Sequence, residues 1–224
     1  LDQGTTSSRA VLFDEQCRPL RSSKEEFQQI FPRPGWVEHD PIAIWSTQIH
    51  TAKRAGAKRN NRIAGIGVTN QRETTIVWDR HTGKPIHNAI VWQDRRTASI
   101  VDDLVSRGYS SYIRRTTGLI PDAYFSGPKI KWLLDNIPDA KKRAGKGDLL
   151  FGTVDAFLVW KLTRGRVHAT DHSNASRTMI FDINRGCWDR RLLDLQGIPV
   201  DMLPEVKSSS EILGYTDKRL LGQE

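Results

Sequence analysis

Leu1-Asp2-Gln3-Gly4-Thr5-Thr6-Ser7-Ser8-Arg9 runs directly into the apolar residues Ala10-Val11-Leu12-Phe13. An apolar residue, an acid, a glycine, four hydroxyl side chains and an arginine, followed by an apolar run, predict a strand–turn–strand. Gly4 lets the backbone come close to a ligand. Successive N–H groups and hydroxyls in a tight turn form a concavity that suits an anion such as phosphate. Asp2 has the hard oxygen donors that magnesium prefers, and the planar fork of Arg9 matches phosphate oxygens. An ordinary polar hairpin would show the same order, so the nine residues leave both readings open.

The chain has 224 residues, 38% hydrophobic and 27% charged. That is a globular composition, long enough to bury a real core, and one domain is expected. No apolar run approaches the length of a membrane span. Cys17 and Cys187 show no metal or redox spacing, so free thiols in a reducing, cytoplasmic setting are expected. The net charge is +8, spread over Lys53, Arg54, Lys58, Arg59 and Arg62, then Lys141, Lys142, Arg143 and Lys146, then Arg185, Arg190 and Arg191. None of these clusters is interleaved with aromatic residues that stack bases, so a solvated surface is expected and no nucleic-acid partner. The sequence opens in mid-pattern, and a further N-terminal segment is expected before Leu1.

Alternation over 10–13 and 20–27, around the turn-rich stretch 14–19, predicts a hairpin. Residues 36–38 suggest a short third strand. Asp40-Pro41 is an N-cap followed by proline at the first helical position, with Ile42, Trp45, Ile49 and Ala52 at helical spacing behind it. A buried strand is expected over 63–69 and a hairpin from 74–78 and 86–92. Helices are expected over 95–106 (Ile100, Val101, Leu104 and Val105 inward) and from Ser126, with Ile130, Leu133, Leu134 and Ile137 on one face. Strand 149–152, helix 154–162, strand 178–182 and helix 189–196 complete the reading. Strands that first meander and then alternate with helices fit an α/β domain with a mixed sheet flanked by helices.

No Gly-x-x-x-x-Gly-Lys-Ser/Thr occurs. Gly65-Ile66-Gly67 follows a strand, but Asn70 stands where a dinucleotide fingerprint needs its third glycine. His168, Asp171 and His172 lack a third metal ligand and read as a capped turn or loop. In Asn70-Gln71-Arg72-Glu73-Thr74-Thr75, a basic and an acidic residue meet where two strands join. They could grip the vicinal hydroxyls of a polyol, or pair with each other on the surface. Trp92 and Tyr124 are aromatic faces suited to the C–H side of a small sugar or polyol.

The segments DQGTTSSR, PGWVEHDP, TNQRETT, NAIVWQDRR, LLFGTVDAFLVWKLT and TDHSNASRTM, together with Tyr124, Ser126, Lys129, Ile130, Trp132, Leu133, Asp135 and Asn136, resemble the FGGY carbohydrate kinases. The match runs in the family's order from the first residue to about Gly214, and is strongest with members that act on glycerol. Pro128 departs from the pattern where many relatives carry threonine, at a helix start that tolerates proline.

The resemblance implies the first of two actin-like (ribonuclease H-like) domains, spanning 1–224 and truncated at both ends, with the nucleotide-binding second domain absent. It implies ATP and Mg2+ as cofactors, with Gly4, Thr5, Thr6, Ser7 and Arg9 at the phosphates and Asp2 near the magnesium. Glycerol contacts are implied for Arg72, Glu73, Trp92 and Tyr124, and a homo-oligomer for the complete protein. The family's catalytic base, an aspartate in a Gly-Asp-Gln-Gln segment, has no counterpart up to Glu224, so no turnover is expected from the chain alone. Another sugar or polyol substrate (a pentulose, a tetritol or a sugar acid) and a non-catalytic glycerol- or partner-binding role stay open.

Overall fold

The computed structural model describes residues 1–56 and 63–221. Lys58, Arg59 and Arg62 of the first basic cluster lie outside the described residues. The opening stretch forms β1 (Asp2–Gln3), a tight turn and β2 (Ser7–Phe13), and β3 (Pro19–Glu26) returns antiparallel to β2. β4 (Glu38–His39) precedes helix α1 (Pro41–Ala55), and β5 (Thr69–Asn70) lies parallel to β1. The resulting sheet has the order β3-β2-β1-β5 and is mixed, as the sequence pattern predicts.

The chain continues through β6 (Ile76–Asp79), β7 (Ala89–Ile90), α2 (Ala98–Ser106), α3 (Ser110–Thr117), α4 (Ser126–Asn136), α5 (Ala140–Gly145), β8 (Leu149–Gly152) and α6 (Val154–Leu162). It closes with β9 (Ala169–Asp171), α7 (His172–Ala175), β10 (Phe181–Asp182), β11 (Cys187–Trp188), α8 (Arg190–Gln196), β12 (Glu205–Lys207) and α9 (Lys218–Leu221). β6 pairs antiparallel with β8. Period-two alternation then sends their side chains to opposite faces. Val77, Leu149 and Phe151 join a core with α4 and α8, while Ile76, Trp78 and Leu150 join a second core with Ile44, Phe157 and Leu158. α6 is buried almost all round, which accounts for its near-continuous apolar sequence.

The caps follow the sequence. Asp40 accepts a hydrogen bond from Ile42 N at 2.8 Å at the start of α1, and Asp189 accepts one from Leu192 N at 2.8 Å at the start of α8. Such a cap contributes about 1 kcal/mol. Asp171 caps α7, taking Asn174 N at 2.7 Å, so the stretch around His168 and His172 is a capped turn.

Several expectations need correction. Residues 63–68 form no strand and are exposed or half-buried; the ladder to β1 takes in Thr69 and Asn70 alone. Strand β4 is shifted from 36–38 and pairs with β7 outside the first sheet. The hairpin 74–92 exists, but as isolated bridges (Thr75 to Ile90, Trp78 to Pro85), while β8 forms the regular ladder with β6. The expected strand 178–182 shortens to β10. Ile42 and Val105 are exposed; α1 instead buries Ile44, Thr47, Gln48 and Thr51, with the two hydroxyls and Gln48 Nε2 hydrogen-bonded and Gln48 Oε1 left without a partner among the described residues. Helices α3 and α5 carry too few apolar residues to stand out in the sequence.

Candidate functional site

The turn between β1 and β2 is closed by Gly4 N donating to Ser7 O at 3.0 Å. A Cβ at Gly4 would lie 3.2 Å from that oxygen, tighter than ordinary contact. The turn is anchored from beneath by a buried chain of polar groups: Ser8 Oγ donates to Gln3 Oε1 at 2.8 Å and meets Thr47 Oγ1 of α1 at 2.7 Å. Antiparallel register sets Asp2 opposite Arg9. Directly paired residues share a face, so the expected metal ligand and the expected phosphate cation lie side by side. Neither side chain makes an ion pair or hydrogen bond among the described residues.

A second segment is fastened to this turn. Gln71 N donates to Gln3 O at 2.9 Å, and Gln71 Nε2 reaches Gly4 O at 3.3 Å. His39 completes the junction. Its Nε2 lies 2.6 Å from Gln29 Oε1 and its Nδ1 3.3 Å from Gln71 Nε2. Burial lowers this imidazole to about 4, keeping it neutral. Arg72 and Glu73 follow directly.

These two residues do not pair with each other. Glu73 is buried and accepts from Arg177 Nε at 2.7 Å, while Arg72 is exposed. Tyr124 stands beside both arginines: burial, then the Glu73 carboxylate, push its phenol up, and Arg177 and Arg72 oppose that shift. The Trp92 and Tyr124 rings lie 5.5 Å apart in a tilted arrangement, and Trp92 Nε1 donates to Thr5 Oγ1 at 3.0 Å. The structure therefore brings Arg72, Glu73, Trp92 and Tyr124 together, next to the turn of Gly4, Thr5, Thr6 and Ser7.

Behind Trp92, Arg96 is held at 2.8 Å from Asp94 and 2.7 Å from Glu38, all three side chains being buried. Its guanidinium stacks on Trp36 at 3.8 Å and on Trp132 at 4.7 Å. Asp94 also takes Val37 N at 2.7 Å. This cluster fixes the chain that presents Trp92.

Sequence reasoning missed Arg177, because a lone arginine 104 residues from its carboxylate carries no local signature. It also missed Asp155, buried and thereby raised to about 6, which accepts from Thr153 Oγ1 at 2.5 Å and Thr170 Oγ1 at 2.6 Å. Asn70 donates to Asn174 Oδ1 at 3.0 Å and, at 3.4 Å, to Asp155. Among the described residues no group of three or more His, Cys, Asp or Glu side chains gathers as a metal cage, and no helix is long and apolar enough to cross a membrane.

A tight hydroxyl-rich turn set against a carboxylate, two arginines and an aromatic wall stands on an actin-like α/β scaffold, the fold class of carbohydrate kinases. The chain belongs to the FGGY family of carbohydrate kinases, whose N-terminal domain pattern matches residues 1–223. It is 58% identical to the glycerol kinase of Caldanaerobacter subterraneus subsp. tengcongensis and 60% identical to glycerol kinase 2 of Thermotoga maritima, covering 100% of this chain and 46% of each relative. The crystal structure of Plasmodium falciparum glycerol kinase with ADP superposes with a TM-score of 0.93 at 36% identity, over 99% of this chain and 45% of that one. The chain thus spans a little under half the length of these relatives.

Proposed function

We propose that the protein carrying this chain transfers the γ-phosphoryl group of ATP to a primary hydroxyl of glycerol, and that residues 1–224 are its first domain. The observation that carries the reading is the position of Trp92, which touches the phosphate turn through Thr5 and the polyol wall through Tyr124. A donor phosphate and an acceptor hydroxyl bound on either side of one indole would be neighbours. Identity of 58–60% to two glycerol kinases across the whole chain supports the choice of polyol.

In this reading Glu73 and Arg72 take adjacent glycerol hydroxyls, and Trp92 and Tyr124 enclose its carbon face. Thr5, Thr6 and Ser7 offer hydroxyl and N–H donors to the phosphates, Gly4 lets the backbone approach them, and Arg9 offsets their charge. Phosphoryl transfer depends mostly on such positioning and charge neutralisation. Magnesium, when bound with ATP, supplies further neutralisation of phosphate charge. Asp2 fits it: a half-buried carboxylate without a protein partner among the described residues matches an ion that takes one or two carboxylates alongside phosphate and water. Glu73 is committed to Arg177 and holds substrate, so we place the base that deprotonates the hydroxyl, with the adenosine-binding half, outside these residues.

The test is ADP release by the complete protein with ATP and Mg2+ against glycerol, xylulose, erythritol and gluconate. Glycerol is expected to be the fastest acceptor, and Asp2→Asn is expected to cut kcat by at least about a hundredfold. Faster turnover of xylulose would overturn the choice of substrate. Robust glycerol-dependent ATP consumption by the 224-residue chain alone would overturn the two-domain reading.

A further inference from the structure

Lys129 has no exposed surface, and among the described residues no other lysine is buried. It sits in the first turn of α4, where the helix dipole disfavours a cation. No carboxylate oxygen lies within ion-pair distance of it among the described residues. Its Nζ instead donates to two main-chain carbonyls from separate segments, Tyr124 O at 2.6 Å and Glu73 O at 3.2 Å. Ser126, three residues earlier on the same turn, donates its hydroxyl to the same Glu73 carbonyl at 3.2 Å.

Burying an ammonium without a counter-charge is expensive, and an apolar side chain of equal length would fill the space at lower cost to stability. What the ammonium alone supplies is several N–H donors at one point. Those donors meet the backbone of two residues, Glu73 and Tyr124, that belong to the proposed polyol site.

We propose that Lys129 is a positioning residue for that pocket, fixing the separation of the Glu73 and Tyr124 walls by holding both of their carbonyls. The proposal rests on the polyol reading of the site. Lys129 touches no substrate; it acts through the backbone it holds. Bonds from a charged donor are about twice as strong as neutral ones, so the clamp is tightest while Lys129 is protonated. Burial lowers its ammonium to about 7. Asp94, Glu73 and Asp122 work against that shift, and Arg96 adds to it.

The experiment is steady-state kinetics of the complete protein with Lys129→Met, a substitution close to Lys in length and volume. The glycerol KM is expected to rise about tenfold or more, with the ATP KM within about twofold and little change in Tm, since removal of the buried charge offsets the cost of carbonyls left without its N–H donors. The wild-type glycerol KM is expected to climb as pH rises through 7, while that of K129M stays flat. An unchanged glycerol KM in K129M overturns the proposal, as does a parallel rise of both KM values with a lowered Tm, which marks a merely structural role. Should K129M fail to fold, Lys129→Gln, which keeps an N–H donor but loses the charge and the reach, carries the same test: a raised glycerol KM supports the clamp and an unchanged one removes it. Wild-type protein that turns over xylulose but not glycerol refutes the substrate reading instead, a separate result.

Discussion

Trp92 Nε1 donates a hydrogen bond to Thr5 Oγ1 at 3.0 Å across 87 positions of sequence. One indole thereby packs against Tyr124 in the proposed polyol wall and orients a hydroxyl of the proposed phosphate turn. Trp92→Phe keeps an aromatic face and removes the donor. We expect the glycerol KM to stay within about threefold and kcat/KM for ATP to fall about fivefold, the worth of one neutral hydrogen bond near 1 kcal/mol. Initial-rate kinetics with each substrate varied in turn decides it; an unchanged ATP dependence removes the link.

Glu73 is buried, and among the described residues its one ion-pair partner is Arg177. Arg177→Met leaves that carboxylate uncompensated. Because the arginine is 29% exposed, the expected cost is moderate, about 2 kcal/mol, below the range for fully buried pairs. Arg72→Met, at the exposed neighbour, is expected to cost less than about 0.5 kcal/mol. Urea denaturation of both variants measures the difference, and equal losses would return the pairing to Arg72.

His39 and His168 are each lowered to about 4, mainly by burial, from an ordinary value near 6.5. Between pH 6.5 and 4 the unfolded chain binds more protons at these rings than the folded one, so stability is lost as pH falls through this window. Asp155 acts oppositely. Its carboxyl, raised to about 6, is protonated earlier in the folded state and gains stability as pH falls from 6 towards 4. Two histidines against one aspartate give a net acid loss. Denaturation midpoints at half-unit pH steps should show it shallower in His39→Gln and steeper in Asp155→Asn.

Gly127 lies on the α4 turn that carries Ser126 and Lys129. A Cβ there would come within 3.0 Å of Thr178 O and Ile180 Cγ2 and 2.9 Å of Gln196 Oε1. Overpacking of this kind costs about 1–3 kcal/mol. Gly127→Ala is therefore expected to lower Tm by several degrees and to weaken glycerol binding through the displaced turn. Calorimetry paired with the glycerol KM tests both effects.

The first hairpin, the Asp40 cap, strand β8 and helix α6 are legible because each signal is local. An N-cap, a turn cluster or an apolar run acts within a few residues. Strand β4 was misplaced by two residues, and 63–68 were read as buried when they are not, because pairing needs a partner that the segment itself does not encode. Ile42 and Val105 were read as inward on spacing alone. Which face of a helix is covered depends on what packs there, and on α1 the covered face carries Thr47, Gln48 and Thr51.

At the site the division is similar. Residue types offered phosphate chemistry for Asp2, the turn of Gly4 to Ser7, and Arg9, and polyol chemistry for Arg72, Glu73, Trp92 and Tyr124, beside plainer readings, and the family resemblance chose between them. Folding decided how they combine. It joined Glu73 to Arg177 instead of Arg72, hung Thr5 on Trp92, and buried the Lys129 ammonium between two carbonyls. A sequence specifies which donors and acceptors exist and their short-range geometry. Which of them come within 3 Å across a hundred residues is set by strand register and core packing, and only the assembled chain contains those distances.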